Sequence, residues 1–415
     1  MRDRYFVKCI CDVMINNKQV IIANKINGKW IKIPIECYQV IEYSIENKLP
    51  LDSLYDVFDL DEDKKYFKKV IDKIQELGFV SNSIGYEFKL DRINLISFSL
   101  TNRCNLKCDY CCVDSKIENI DYLDTNEVKK AIDNIAKLNP RVLTISGGEP
   151  MLRGDFLEIL AYAKEKFKGK IILATNATLI KDVQIDEIIN GLHAIEISLD
   201  GYDELSCSKI RGKGVFGKVI NTIKLIKSKG FDNISTSLVI GKNNANDVGK
   251  FNKLSEELGV ESIIRNFVSI GRGSENSCRY LENELNISYI DKDDYIDKNS
   301  LNANMCKAGA NQIFIDCKGD VYPCPNLRYE DLKMFNILEF EESILNSILN
   351  RDMEIFDRFD NLKPVNIDGC KDCDINVFCS TCPSQMYTLK KDKKMFEANC
   401  KRMKSILEPI VWYEK

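Results

Sequence analysis

The chain has 415 residues, with 59 Lys and Arg against 63 Asp and Glu, a net charge of −4, and 44% apolar residues. Its length and composition are those of a soluble protein of two to four domains at roughly 100–200 residues each, and its mild acidity argues against a general nucleic-acid binder. No apolar run reaches the roughly 18 residues of a membrane span, and the N-terminus lacks the apolar core of a signal peptide, so the expected location is the cytoplasm.

Seventeen cysteines and a single histidine set the chain apart. His-rich zinc catalysis is excluded, and any Ser-His-Asp or Cys-His system would depend on His193. That residue sits in Gly191-Leu192-His193-Ala194-Ile195, which reads as a packed structural histidine. In a reducing compartment so many thiols point to metal or redox ligands, and an odd number fits a full disulfide framework poorly.

In chain order, Phe6–Ile15, Val20–Ala23 and Trp30–Ile35 read as strands, and Cys37–Glu46 and Asp61–Leu77 as helices. Phe67, Val70, Ile71, Ile74 and Leu77 have the spacing of one helix face, and Gly78 stops the helix before a return strand at Phe79-Val80-Ser81. Residues 1–90 therefore suggest a winged-helix-like module; a packing or dimerisation module is the alternative. From 91 to 270 the pattern alternates. Strands are predicted at Asn94–Thr101, Val142–Ser146, Lys170–Thr175, Ala194–Leu199, Asn233–Ile240 and Glu261–Ser269. Helices are predicted near Thr125–Leu138, Asp155–Phe167, Val183–Asn190, Phe216–Lys229 and Asn246–Leu258. Such alternation implies an α/β fold with a parallel sheet, and ligands at the carboxyl ends of its strands.

The polar motifs fall at those ends. Cys104, Cys108 and Cys111 follow the first strand as C-x3-C-x2-C, Ser146-Gly147-Gly148-Glu149-Pro150 the second, Thr175-Asn176-Ala177 the third, and Ser198-Leu199-Asp200-Gly201 the fourth. Three closely spaced thiolates suit three irons of a cube and leave the fourth open. Cys112, pointing elsewhere than its neighbour, is read as a non-ligand. Arg211-Gly212 follows the fourth motif, and Arg272 lies in Gly271-Arg272-Gly273, either closing the top of the site or in a plain surface turn.

This series resembles the radical S-adenosylmethionine (SAM) enzymes. The resemblance implies a partial (β/α)6 TIM-like barrel in which Cys104, Cys108 and Cys111 bind a 4Fe–4S cluster. It also implies SAM contacts from Gly147, Gly148, Glu149, Pro150, Thr175, Asn176, Ser198, Asp200 and Arg211, with Asp200 alternatively holding its loop. Glu149 would receive the methionine ammonium and Arg211 the carboxylate. The chemistry implied is reductive cleavage of SAM to a 5′-deoxyadenosyl radical that abstracts hydrogen from an unactivated carbon.

After a polar bridge, 271–304, the segment 305–415 carries Cys306, Cys317, Cys324, Cys370, Cys373, Cys379, Cys382 and Cys400. Ile313–Ile315 and Val321–Tyr322 flank Lys318-Gly319-Asp320 and read as a hairpin leading to Cys324. Taken alone, two C-x2-C pairs suggest a zinc ribbon. Beside the first motif, the series resembles the SPASM extension, which holds two auxiliary 4Fe–4S clusters, three clusters in all. The resemblance gives Cys370, Cys373, Cys379 and Cys400 to one and Cys306, Cys324 and Cys382 to the other. Cys379-Ser380-Thr381-Cys382 departs from the usual x3 spacing. The remaining ligand is Cys317, Cys278 or an open position able to take a substrate thiolate.

The resemblance as a whole is to maturases of ribosomally made peptides. It implies a leader-recognition role for 1–90, a Cys-containing precursor peptide as partner, an electron donor such as flavodoxin or ferredoxin, and a cysteine thioether crosslink as product. The alternatives are a carbon–carbon crosslinking or epimerising maturase, an anaerobic sulfatase-type maturase, and a non-catalytic Fe–S or zinc peptide-binding scaffold. The sulfatase type places an acidic residue after the cysteine matching Cys324, where this chain has Pro325. Trp30 and Trp412 read as packing residues, and Lys390–Lys394 as solvated surface.

Overall fold

The computed structural model describes residues 3–86, 90–281, 301–303, 306, 308–309, 311–379 and 382–413. The chain divides into two compact units, one of residues 1–89, 292–307 and 360–415, the other of 90–291 and 308–359.

The N-terminal part of the first unit contains β1 (Tyr5–Phe6), β2 (Cys11–Asn16), β3 (Gln19–Asn24), β4 (Trp30–Pro34), α1 (Ile35–Glu46), α2 (Asp61–Glu76) and β5 (Val80–Ser81). β2, β3 and β4 form an antiparallel meander, and β1 pairs with β5. The single strand expected over Phe6–Ile15 is interrupted by a 3-10 turn at Lys8–Ile10. Phe67, Val70, Ile71 and Ile74 of α2 share one buried cluster with Val20, Ile22, Ile33 and Ile41, as the helix-face spacing predicts.

The second unit begins with β6 (Leu95–Ser99), α3 (Thr125–Leu138), β7 (Val142–Ser146), α4 (Phe156–Lys166), β8 (Lys170–Thr175) and α5 (Asp182–Ile189). It continues with β9 (Ala194–Ser198), α6 (Glu204–Arg211), α7 (Val215–Ser228), β10 (Ile234–Ile240), α8 (Val248–Leu258) and β11 (Glu261–Asn266). Strands β6 to β11 are parallel and adjacent in chain order, the TIM-like α/β arrangement. The helix boundaries have local causes. At α3, Asp124 and Glu127 form a capping box, and Asn139 closes the other end in the left-handed region at φ 51°. Helix α6 was not anticipated; Asp203 caps it through Ser206, and Arg211 lies in its last turn rather than on a loop.

Beyond β11 come α9 (Arg272–Glu275), α10 (Ser277–Tyr280), β12 (Gln312–Ile315), β13 (Asp320–Tyr322), β14 (Phe335–Asn336), α11 (Glu342–Asn350) and α12 (Glu354–Asp360). The expected hairpin forms from β12 and β13, with Gly319 at φ 85° in its turn. It is not a separate element, however. β12 pairs parallel with β6, so the sheet runs β11-β10-β9-β8-β7-β6-β12-β13-β14 and stays open. Much of the polar bridge, 282–300, lies outside the described residues. The first unit resumes at the C-terminus with α13 (Pro383–Leu389) and α14 (Lys393–Glu408).

His193 corrects the sequence reading. Its side chain is exposed, and it precedes β9 at the end opposite Ser198. The residue lies in the bend between α5 and β9, ahead of the first strand residue Ala194, and so outside the buried alternation that Ile195 and Ile197 carry. Trp30 and Trp412 are packing residues: Trp30 meets Phe378 edge-on and donates to Leu301, and Trp412 donates to the Asp374 carbonyl. Among the described residues no helix is long and apolar enough to cross a membrane.

Candidate active site and cysteine centres

All the motifs at the strand ends lie in the second unit, and contacts between them fix their geometry. The loop after β6 folds back on the turn after β7: Gly148 donates its N–H to the Thr101 carbonyl at 2.7 Å and Glu149 to the Arg103 carbonyl at 2.8 Å. The approach is close enough to require glycine. A Cβ at Gly148 would lie 2.1 Å from the Arg103 oxygen, and one at Gly147, with φ 147°, 2.6 Å from the Thr101 oxygen. Pro150 follows buried, starting a 3-10 turn.

Glu149 is fully buried. Its carboxylate accepts from Thr175 Oγ1 at 2.8 and 2.9 Å, from the Asn176 N–H at 2.7 Å and from the Met151 N–H at 3.1 Å. Burial pushes its pKa up, against the lowering effect of these donors. Thr175 and Asn176 therefore hold Glu149, tying the end of β7 to the end of β8. The Asn176 amide also donates to Asn105 Oδ1 at 3.0 Å and faces Cys104 Sγ at 3.9 Å. Ala177 adopts φ 59°, a conformation in which glycine would be unstrained.

Ser198 ends β9. Asp200, 1% exposed and at φ 57°, accepts from the Val239 N–H at 2.7 Å and from Arg211 Nε at 2.5 Å. The carboxylate thus holds its own loop and aims the arginine. Arg211 Nη1 faces Cys108 Sγ at 3.7 Å and Nη2 the Tyr110 hydroxyl at 3.4 Å. Burial opposes the charge on Arg211, but Asp200, Tyr110 and Cys108 outweigh it and hold the pKa well above the ordinary value.

The three loop cysteines sit among donors. Leu106 N–H points to Cys104 Sγ at 3.4 Å and Ser115 N–H to Cys111 Sγ at 3.3 Å. Burial raises the Cys104 thiol to about 11 and raises Cys108, where Arg211 counteracts it. Thiols so placed ionise when a metal compensates the charge, and N–H donors to sulfur are what an iron–sulfur cluster's thiolates require. Cys112 is raised by burial to about 11, and Arg328 Nη2 holds its carbonyl at 2.8 Å.

In the first unit, Cys370, Cys373, Cys379 and Cys400 line one cavity with Met386 and Met403. Burial, then neighbouring cysteines, push Cys370 to about 11. Four thiols in an apolar pocket fit a cluster with a full set of ligands. Among the described residues no three His, Cys, Asp or Glu side chains converge on a point one metal ion would fill; a four-iron cube keeps its thiolates apart, one per iron.

The other predicted cysteines are divided between the units. Cys306 and Cys382 belong to the first and Cys324 to the second. Cys382 caps α13, with its sulfur 3.2 Å from Ser384 Oγ. Cys324 lies just past β13, where its sulfur accepts the Asn326 N–H at 3.4 Å. Cys278 is exposed and Cys317 half-buried, and Ser380-Thr381 lie outside the described residues.

The Radical SAM superfamily matches residues 98–254, the span that carries all four motif turns. The chain carries a radical SAM domain. It is an enzyme of the radical SAM kind, with SAM and iron–sulfur clusters as its cofactors. An iron–sulfur cluster-binding SPASM domain matches 306–374. The mycofactocin maturase MftC of Mycolicibacterium smegmatis is 27% identical over 273 residues, 61% of this chain and 69% of that protein. The antilisterial bacteriocin subtilosin biosynthesis protein AlbA of Bacillus subtilis is 29% identical over 269 residues, 61% and 59% of the two chains. Among solved structures, Streptococcus suis SuiB bound to the precursor peptide SuiA has the same fold, with TM-score 0.54 and 16% identity over 91% of this chain and 97% of that one.

The sequence reading singled out Arg272 without its contacts and missed Arg328 at this radical SAM site. Arg272 is neither a lid nor a surface turn but a buried side chain, 5% exposed, bonded to the cysteine loop. Arg328 reaches the same loop from beyond β13. Gly271-Arg272-Gly273 was visible as a motif, but its partners lie more than 150 residues away along the chain.

Proposed function

We propose that this protein is a radical SAM maturase of a ribosomally made precursor peptide, and that it joins a cysteine sulfur to a carbon as a thioether. The observation that carries the reading is the pair of cysteine constellations, one at the SAM-type turns and one in a separate four-cysteine cavity. Relatives named as a mycofactocin maturase and a bacteriocin biosynthesis protein, and a fold shared with a peptide-bound structure, support a peptide substrate.

In this reading Cys104, Cys108 and Cys111 would hold the 4Fe–4S cluster that works with SAM. Cys370, Cys373, Cys379 and Cys400 would hold a second cluster, and the third is the one the resemblance gives to the remaining SPASM cysteines. When reduced and bound to SAM, the first cluster supplies the electron that yields a 5′-deoxyadenosyl radical. The chain's own residues do the positioning. Gly147 and Gly148 let the backbone approach, Glu149 locks the β7 and β8 turns, and Arg211, aimed by Asp200, offers a guanidinium to a carboxylate. Residues 1–90 would bind the leader by strand addition, for which β2 and β4 are the edges of the meander. The expected donor is a flavodoxin or ferredoxin.

The test is anaerobic reconstitution followed by incubation with a Cys-containing peptide encoded beside the gene. Three clusters predict about 12 iron and 12 sulfide per chain. Thioether formation predicts a peptide lighter by two hydrogens, with one thiol no longer open to alkylation. SAM cleavage with every such peptide left fully alkylatable would overturn the thioether reading, and formylglycine in the product would indicate the sulfatase-type alternative.

A further inference from the structure

The loop carrying Cys108 and Cys111 has no regular secondary structure, so its outward carbonyls need donors from elsewhere. Four of them find donors. Arg272 Nη1 donates to the Cys108 carbonyl at 2.9 Å and Nη2 to the Ser115 carbonyl at 2.6 Å. The Arg272 backbone N–H takes the Cys111 carbonyl at 2.9 Å, and Arg328 takes that of Cys112 at 2.8 Å. Arg272 also pairs with Asp114 at 2.9 Å. Gly271 brings this segment against the loop at φ 55°, where a Cβ would lie 2.5 Å from the Cys112 oxygen and 2.6 Å from the Cys111 oxygen.

A guanidinium that is 5% exposed is costly to bury, and a surface turn would not require it. Here its fork spans the loop from Cys108 to Ser115, across Cys111. Its charge lies behind Cys108, bonded to that residue's carbonyl. A fixed positive charge beside a cluster favours the more negative, reduced form, and hydrogen bonds that hold ligand residues set metal retention.

We propose that Arg272 is a positioning residue for the SAM-binding cluster, shaping the Cys108–Ser115 loop through its fork and raising the cluster's reduction potential through its charge. The inference rests on the reading of Cys104, Cys108 and Cys111 as cluster ligands.

The test compares wild type, Arg272→Gln and Arg272→Lys as full-length, anaerobically reconstituted protein. Iron content is measured, with a redox titration of the paramagnetic signal that changes when SAM is added. Gln removes the charge; the equilibrium for one-electron reduction should fall about tenfold, about 59 mV more negative. Lys keeps the charge but not the fork; the potential should stay near wild type while iron at this cluster is lost faster to a chelator. Should Arg272→Gln not fold, Arg272→Lys carries the test alone. Wild-type potential in Arg272→Gln, or wild-type iron retention in Arg272→Lys, overturns the proposal. Absence of any SAM-responsive signal in the wild-type protein instead overturns the ligand reading on which it rests.

Discussion

Gly148→Ala tests whether the close contact between the cysteine loop and the turn after β7 is needed for function. The new Cβ would lie 2.1 Å from the Arg103 oxygen, 2.7 Å from its carbonyl carbon and 2.9 Å from Ser115 Oγ. Two of the three are backbone atoms with no flexible end to move. To restore a 3.0 Å separation the carbonyl must retreat by about 0.9 Å. That shift strains or breaks the bonds Gly148 N–H to Thr101 and Glu149 N–H to Arg103, each worth about 1 kcal/mol, and adds an overpacking cost of about 1–3 kcal/mol. The expected loss is about 1–5 kcal/mol, read as a lower urea midpoint of the metal-free protein. Arg103 adjoins Cys104, and displacing a reacting group by about 1 Å costs on the order of 100-fold in rate, so 5′-deoxyadenosine formation should fall by at least that much. Gly154→Ala is the control, because nothing lies within 4 Å of its Cβ position. A Gly148→Ala protein with the wild-type midpoint and SAM cleavage within about twofold of wild type would refute the reasoning.

Further outcomes follow from the same geometry. Cys400→Ala should lower iron from about 12 to about 8 per chain while leaving SAM cleavage measurable, whereas Cys104→Ala should abolish 5′-deoxyadenosine; equal iron loss with equal activity loss in both would contradict two separate centres. Asp200→Asn leaves the buried Arg211 charge without its partner, so stability should fall by about 3–5 kcal/mol and SAM affinity with it; equilibrium binding at unchanged affinity would count against Arg211 as an aimed guanidinium. In the metal-free protein Cys104 and Cys370 titrate at about 11 against an ordinary 9.0. Their folded values are raised, so their contribution to stability is full below pH 9.0 and lost as pH rises through about 11. A melting temperature that rises over that interval would contradict the sign.

How much was legible depended on how local the signal was. The parallel strands β6 to β11 and the helices α3, α4, α5, α7 and α8 were readable because each carries its own periodicity. Helix α6 was hidden because its eight residues, ELSCSKIR, are mostly polar and its start depends on an Asp203–Ser206 cap. The hairpin of β12 and β13 was visible, but its pairing with β6, more than 200 residues earlier, leaves no local mark. His193 was misjudged because the apolar run around it begins in a bend, and β9 starts only at Ala194.

The sequence by itself determined the alternating α/β core, the order of the motif turns at its strand ends and the two groups of cysteines, because each is written in contiguous residues. Only the tertiary structure decided what those residues touch. It engaged Glu149 with Thr175 and Asn176 and locked Asp200 to Arg211. It also closed Cys370, Cys373, Cys379 and Cys400 around one cavity, and buried Arg272 behind the cysteine loop. Hydrogen bonds and ion pairs form wherever the folded backbone brings donors and acceptors within about 3 Å, and that proximity is a property of the packed chain rather than of sequence spacing.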